Sequence, residues 1–179
     1  MAVTEWFTAI TDVDNRLRNH PPARIANLCC GQGWSSIALA HTYAQVHIDG
    51  FDRDADAINA AWANAHALGL TDRLTFHVYD VEEEWLNGRY DLVVAIDCLS
   101  WMKNPLAALN TMHRLSGADG MAVVLNLSTA EQAGEGSGAH SAPRLPADLL
   151  WRYAQIAGFQ WVERIPLKHI GYILYRLFQ

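Results

Sequence analysis

Cysteine is scarce in this chain of 179 residues, with three in all and two of them adjacent at Cys29 and Cys30. Three thiols make no disulfide framework and suit a reducing compartment, so a cytoplasmic location is expected. Histidines and cysteines never fall at H-x-x-x-H or C-x-x-C spacing, so no metal site is expected. Positive charge is also in short supply. Thirteen Lys and Arg stand against 19 Asp and Glu, for a formal net charge of -6 with no basic cluster. That balance argues against nucleic acid as a partner. No apolar run reaches the length that spans a membrane, so no membrane partner is expected. The opening residues, MAVTEWFTAITDVDN, lack the basic segment and apolar core of a secretory leader. Internal repeats are absent as well. Charged residues make up 18% and hydrophobic ones 51%, a composition that folds rather than stays disordered. The expectation is one domain over residues 1–179 with a well-filled core.

What is present is organised around Arg24 to Asp54. A short apolar run, Ile25 to Cys29, follows Pro21 and Pro22 and reads as a buried strand. It leads into Gly31-Gln32-Gly33, then a helical pattern from Trp34 to Tyr43, then a second strand from Val46 to Phe51 that ends in Asp52. Strand, glycine turn, helix, strand and acid form the pattern of a nucleotide-binding half of an open α/β sheet. In such a unit the glycines let backbone pass close to a ligand, and the acid bonds the ribose hydroxyls.

The remaining segments alternate in the same way. Residues 1–20 read as a leading helical segment, with Trp6, Phe7, Ile10, Val13 and Leu17 on one face. It either packs on the sheet or forms a flap that brings Trp6 to a ligand. Asp54 suits the N-cap of an alanine-rich helix that runs to Leu68 and stops at Gly69. Arg73 to Tyr79 reads as a third strand ending at Asp80. Tyr90 to Asp97 reads as a central parallel strand, apolar on both faces. Pro105 opens a helix that turns Leu106, Leu109 and Met112 inward, and Gly117 to Gly120 leads into a fifth strand, Met121 to Leu127. Residues 128–143, rich in Gly, Ser and Ala, read as a mobile surface loop. Pro146 to Ala157 is the last expected helix. Phe159 to Ile165 and Tyr172 to Phe178 stand too close in sequence for a parallel crossover, so they are expected to be antiparallel. The fold class is therefore α/β, a doubly wound, mostly parallel seven-stranded sheet ending in an antiparallel β-hairpin.

That ending separates nucleotide folds. A nicotinamide dehydrogenase carries G-x-G-x-x-G and continues with parallel units, whereas here Ser36 stands at the third glycine and the chain turns back. The G-x-x-x-x-G-K-[ST] loop that cradles phosphates is absent too.

At this point the residues resemble the class I S-adenosylmethionine-dependent methyltransferases. IANLCCGQG resembles the family's hydrophobic-x-D-hydrophobic-G-C-G-x-G motif, continuing W-S-S-I-A-L-A as in bacterial small-molecule enzymes. GFDRD, RLTFHVYD and YDLVVAIDCL resemble the ends of its second, third and fourth strands. LSGADGMAVVLN is similar to its fifth-strand turn, and AGFQWVERIP with YILYRLF to its closing hairpin. The resemblance runs from Pro22 to Phe178. It implies S-adenosylmethionine as cofactor and S-adenosylhomocysteine as product, in a Rossmann-like methyltransferase fold.

The resemblance also implies roles. Asn27 and Cys29 stand at motif positions where the family has an acid and a glycine. Gly31 and Gly33 admit the methionine half of the cofactor, with Trp34 beside it. Asp52 binds the ribose hydroxyls, Arg53 lies by the adenine, and Asp80 with the Val81 amide bonds the adenine edge. Asp97 bounds the methionine amine and the reacting methyl group. Ser100, Trp101 and Met102 line the acceptor pocket, although packing is the plainer expectation for Trp101, Trp151 and Trp161. Asp97, His140 and His169 are the candidate catalytic bases, while His41, His47, His66 and His113 read as surface or packing residues. The family's N-terminal dimerisation domain and helical substrate cap have no counterpart in the sequence. An open site is expected, or one covered by a second copy or a partner subunit. The expected activity is methyl transfer to a small organic acceptor, a secondary metabolite. The alternative is a methyltransferase-fold module that acts as a partner subunit or catalyses a non-methylating reaction such as cyclisation.

Overall fold

A computed structural model describes residues 3–83, 85–127, 145–165, 167 and 172–179. The sheet has seven strands: β1 (Arg24–Leu28), β2 (His47–Asp52), β3 (Leu74–Val78), β4 (Leu92–Ile96), β5 (Met121–Leu127), β6 (Trp161–Ile165) and β7 (Tyr172–Phe178). Their spatial order is β3-β2-β1-β4-β5-β7-β6. The first five pair in parallel, and β7 runs antiparallel to both β5 and β6. The mostly parallel sheet with a closing hairpin is thus the architecture of the chain. Order reverses between β1 and β4, where Leu28 lies opposite Ala95. In open α/β sheets the cleft outside the carboxyl ends of the strands at such a reversal is where ligands bind.

The helices are α1 (Val3–Thr8), α2 (Thr11–Arg18), α3 (Trp34–Thr42), α4 (Ala55–Ala67), α5 (Pro105–Ser116) and α6 (Ala147–Ile156). They divide between two cores. Ile37, Leu39, Ile58 and Ala61 of α3 and α4 pack with α1 and α2 on one face of the sheet. Leu109, Met112, Leu150 and Ala154 of α5 and α6 cover the other. Strands buried on both faces explain why Leu92–Ile96 is an unbroken apolar run rather than an alternating one.

Two helix starts follow the sequence closely. The Asp54 carboxylate accepts the N–H groups of Asp56 at 2.9 Å and Ala57 at 3.3 Å, capping α4. Asn104 does the same for α5 through Ala107 at 3.2 Å, with Pro105 at the first helical position. The leading segment departs from expectation, because it is two short helices rather than one. Ile10 takes an extended conformation (φ -111°, ψ 93°) between them. β-Branched residues at 8, 10 and 11 weaken the helix there, and Asp12 and Asp14 favour a fresh N-terminus. The break lets Trp6, Phe7, Ile10, Val13 and Leu17 all reach the core. Trp6 is only 6% exposed, so it packs and does not serve as a flap over a ligand.

Every parallel crossover carries a helix except one. Residues 79–91, from β3 to β4, contain none among the described residues. The 128–143 loop expected from the sequence lies outside the described residues, as do His140 and His169.

Candidate functional site

The loop after β1 is wound by left-handed backbone. Cys29 has φ +55°, Gly31 φ +53° and Gly33 φ +82°. Cys30 N–H donates to the Phe51 carbonyl at 3.0 Å, which holds the loop against the end of β2. Asp52 completes the hold, accepting Gly31 N–H at 2.8 Å on one oxygen and Asp54 N–H at 3.0 Å on the other. The two glycines serve different ends. A Cβ at Gly31 would meet no atom within 4 Å, so the loop borders open space there. A Cβ at Gly33 would lie 2.9 Å from the Phe76 ring and 3.0 Å from the Ala61 methyl, so Gly33 lets α3, α4 and β3 close together.

Beneath the loop, Asn27 is 1% exposed. Its amide nitrogen donates to Ser35 Oγ and Ser36 Oγ, each at 2.8 Å, and its Oδ1 is buried without a partner. Asn27 therefore ties β1 to the first turn of α3 and lies outside the cleft lining. Burial of Ser36 also decides the place of Trp34. Two residues earlier is about 200° around a helix, and Trp34 is accordingly 57% exposed and outside the cleft lining.

An open cleft of about 210 Å³ lies at the strand reversal. Of the residues expected from the sequence, it brings together Cys29, Asp52, Arg53, Asp80, Val81, Asp97, Trp101 and Met102. Tyr79, Glu82, Ile96 and Cys98 also line it. These four flank expected residues at the ends of β3 and β4, and that adjacency was the available signal. Ser100 is absent from the lining because its hydroxyl accepts Leu145 N–H at 3.1 Å, fastening the turn after β4 to the approach of α6. Trp101 is 52% exposed, so it forms cleft wall rather than core. Trp161 is exposed on β6, stacked edge-to-face with Trp151 at 5.8 Å. The packing expectation thus holds for Trp151 and, against that helix residue at the surface, for Trp161.

Four carboxylates, from Asp52, Asp80, Glu82 and Asp97, face Arg53 around this cleft. The balance suits a ligand bearing positive charge. Asp97 has φ +50°, a left-handed position that Asp tolerates better than most residues, and its N–H donates to the Leu125 carbonyl at 2.7 Å. Tyr79 stacks edge-on against Phe51 at 6.5 Å, and its hydroxyl is buried without a partner. Two of the three thiols, Cys30 and Cys98, are held protonated and are poor nucleophiles. A hydrogen bond with the Cys29 thiol, and then burial, hold Cys98 protonated well above its usual range. Burial, with the Asp52 charge second, pushes Cys30 up to about 12.

An open, mostly parallel sheet with a left-handed glycine loop after β1 and an acid closing β2 defines a Rossmann-like fold with a nucleoside-type cleft. A family model described as "Methyltransferase domain" matches residues 19–147, and this chain belongs to that family, of the class I S-adenosylmethionine-dependent type. Over 106 residues it is 34% identical to the ribosomal protein uL3 glutamine methyltransferase of Neisseria meningitidis serogroup A. That match covers 53% of this chain and 33% of the relative, so the chain spans about a third of that protein's length. Among solved structures, the [4+2]-cyclase SpnF aligns with TM-score 0.75 at 18% identity, covering 95% of this chain and 80% of that one. The magnesium protoporphyrin IX methyltransferase ChlM of Synechocystis PCC 6803, with bound SAM, aligns with TM-score 0.66 at 18% identity, covering 94% and 74%. At these identities the structural likenesses speak for the fold.

Proposed function

We propose that this chain binds S-adenosylmethionine and transfers its methyl group to a small organic acceptor, a secondary metabolite. One observation carries the reading most. The Asp52 carboxylate stands at the cleft and is fixed by two backbone N–H groups, one of them from the loop whose Gly31 faces open space. Each carboxylate oxygen has a lone pair beyond the one already used, so Asp52 can accept both ribose hydroxyls. The buried, unpartnered Tyr79 hydroxyl and the acidic lining fit a cationic nucleoside as well.

When bound, the cofactor supplies an electrophilic methyl carbon on a sulfonium. The protein's task is then alignment, which removes much of the barrier without a strong base. In this reading Gly31 and Gly33 shape the methionine end, Asp80 and the Val81 amide take the adenine edge, and Arg53 lies beside it. Asp97 would hold the methionine amine, and Trp101 and Met102 would form the acceptor wall. If the acceptor must lose a proton, Asp97 is the base candidate within the cleft. His140 and His169 remain candidates from the sequence. We further propose a cytoplasmic protein whose open cleft is covered by a second copy or a partner subunit. Among the described residues no helix is long and apolar enough to cross a membrane.

A second reading has a specific observation behind it. The family acid is the uncharged Asn27 here, and the family glycine is a left-handed Cys29. A module with weak or no methylation activity would follow, acting as a partner subunit or in a reaction such as the cyclisation for which SpnF is named. The uL3 relative, by its name, methylates a protein, so a protein acceptor is the competing substrate class. Titration calorimetry with S-adenosylmethionine and S-adenosylhomocysteine separates binding from non-binding. Micromolar affinity for either supports the proposal, and no heat with both removes it.

A further inference from the structure

Glu82 is a cleft residue to which the cofactor reading gives no role. It sits in the helix-free connection after β3, two residues beyond Asp80, whose carboxylate accepts the Glu82 N–H at 3.0 Å. The Glu82 side chain reaches across to the other wall. Its Oε1 accepts the backbone N–H of Asn104 at 2.9 Å, across 22 residues of sequence. Asn104 is the N-cap of α5. The segment it terminates, 98–104, carries Cys98, Trp101 and Met102 to the cleft.

Resting on the cofactor reading, we propose that Glu82 is a positioning residue. It couples the adenine-side strip, Asp80 to Glu82, to the acceptor wall that ends at Asn104. The physical basis is a relay of two hydrogen bonds. Asp80 sets the backbone of Glu82, and Glu82 sets the end of the wall. A charge-assisted bond from a carboxylate to a backbone N–H is among the stronger single contacts, but this one is partly open to solvent and therefore breakable. With no helix in residues 79–91 among those described, the strip is held besides by the buried Val81 side chain and by the Glu83 N–H, which donates to the Asp80 carbonyl at 2.9 Å. A ligand that engages Asp80 and the Val81 amide restricts the strip, so Glu82 spends more time on Asn104 and the wall is held more firmly. By linkage, an acceptor resting on Trp101 and Met102 would tighten the cofactor in turn.

The test follows exchange of the Asn104 amide in the full chain by NMR, with S-adenosylhomocysteine as the probe and calorimetry as the control for binding. Without ligand, Glu82→Ala should speed Asn104 exchange by about tenfold, the worth of one such bond. Glu82→Gln keeps an acceptor oxygen and should restore most of the protection, which a merely altered loop would not do. S-adenosylhomocysteine should slow Asn104 exchange in the wild type and in Glu82→Gln, and leave it unchanged in Glu82→Ala. If the probe binds and Asn104 responds equally in Glu82→Ala, the coupling is refuted while the cofactor reading stands. If the wild type gives no heat with the probe, the cofactor reading fails and takes the coupling with it.

Discussion

The Asp52 carboxylate accepts the Gly31 N–H at 2.8 Å across 21 residues of sequence, joining the end of β2 to the loop after β1. The same side chain thereby shapes the loop and presents charge to the cleft. This double duty makes the two glycines of the loop separable by mutation.

Gly31→Ala should fold, losing about 1 kcal/mol to left-handed strain, because the new methyl meets open space. In the proposed reading that methyl meets the methionine end of the cofactor, so cofactor affinity should fall far more than stability does. Gly33→Ala adds overpacking against Phe76 and Ala61 to the same strain, for a loss of about 3 kcal/mol. Urea melts and calorimetry on both variants check the contrast. Equal stability losses would show that the two glycines do the same job.

Cys29 holds a left-handed conformation that costs a side chain about 1 kcal/mol. Cys29→Gly should remove that strain and restore the family's residue, with part of the gain lost to the more flexible unfolded chain. The expected result is a urea midpoint equal to or above that of the wild type. A clear drop would mean that the thiol's contact with Cys98 matters more than the strain.

Two limbs of the pH profile follow from Asp14 and Cys30. The hydrogen bond from Arg18, with a second from Tyr43, holds the Asp14 carboxyl below its usual range. A depressed acid stabilises above the unfolded value of about 3.9 and loses that contribution as pH falls. Asp14→Asn should flatten the acid limb of stability. Cys30 is pushed the other way, to about 12. Its contribution is complete below the ordinary thiol value of about 8.5 and fades as pH rises from there towards its folded value. Cys30→Ala should therefore make the alkaline limb shallower. At pH 8 an alkylating reagent should modify the half-buried Cys29 in the folded protein and spare Cys30 and Cys98. Labelling of all three at one rate would contradict the protonated, buried state of the inner pair.

Much of this was legible in the sequence, for identifiable reasons. Period and punctuation marked the strands, and helix starts such as the Asp54 cap and Pro105 act locally, so their signals survive without tertiary context. The strand-end acids Asp52, Asp80 and Asp97 were legible because strand ends at the order reversal converge on one cleft. Three things were not. Ile10 broke the leading segment because its side chain is worth more in the core than in a continuous helix. Trp34 turned outward because the buried Ser36 fixed the rotation of α3. Asn27, at the motif position where the family has an acid, is a tether to Ser35 and Ser36, a partnership no motif spells out. Contacts between distant segments, such as Glu82 with Asn104, leave no sequence pattern at all.

The central claim is that Asp52 holds the cofactor's ribose. Titrating wild type and Asp52→Ala with S-adenosylmethionine, alongside a thermal melt of each, tests it most directly. The account predicts micromolar binding in the wild type, and loss of two charge-assisted bonds worth about 1.5–3 kcal/mol each predicts a drop of at least about a hundredfold in a variant that still folds. Equal affinity in a folded Asp52→Ala would contradict the assignment.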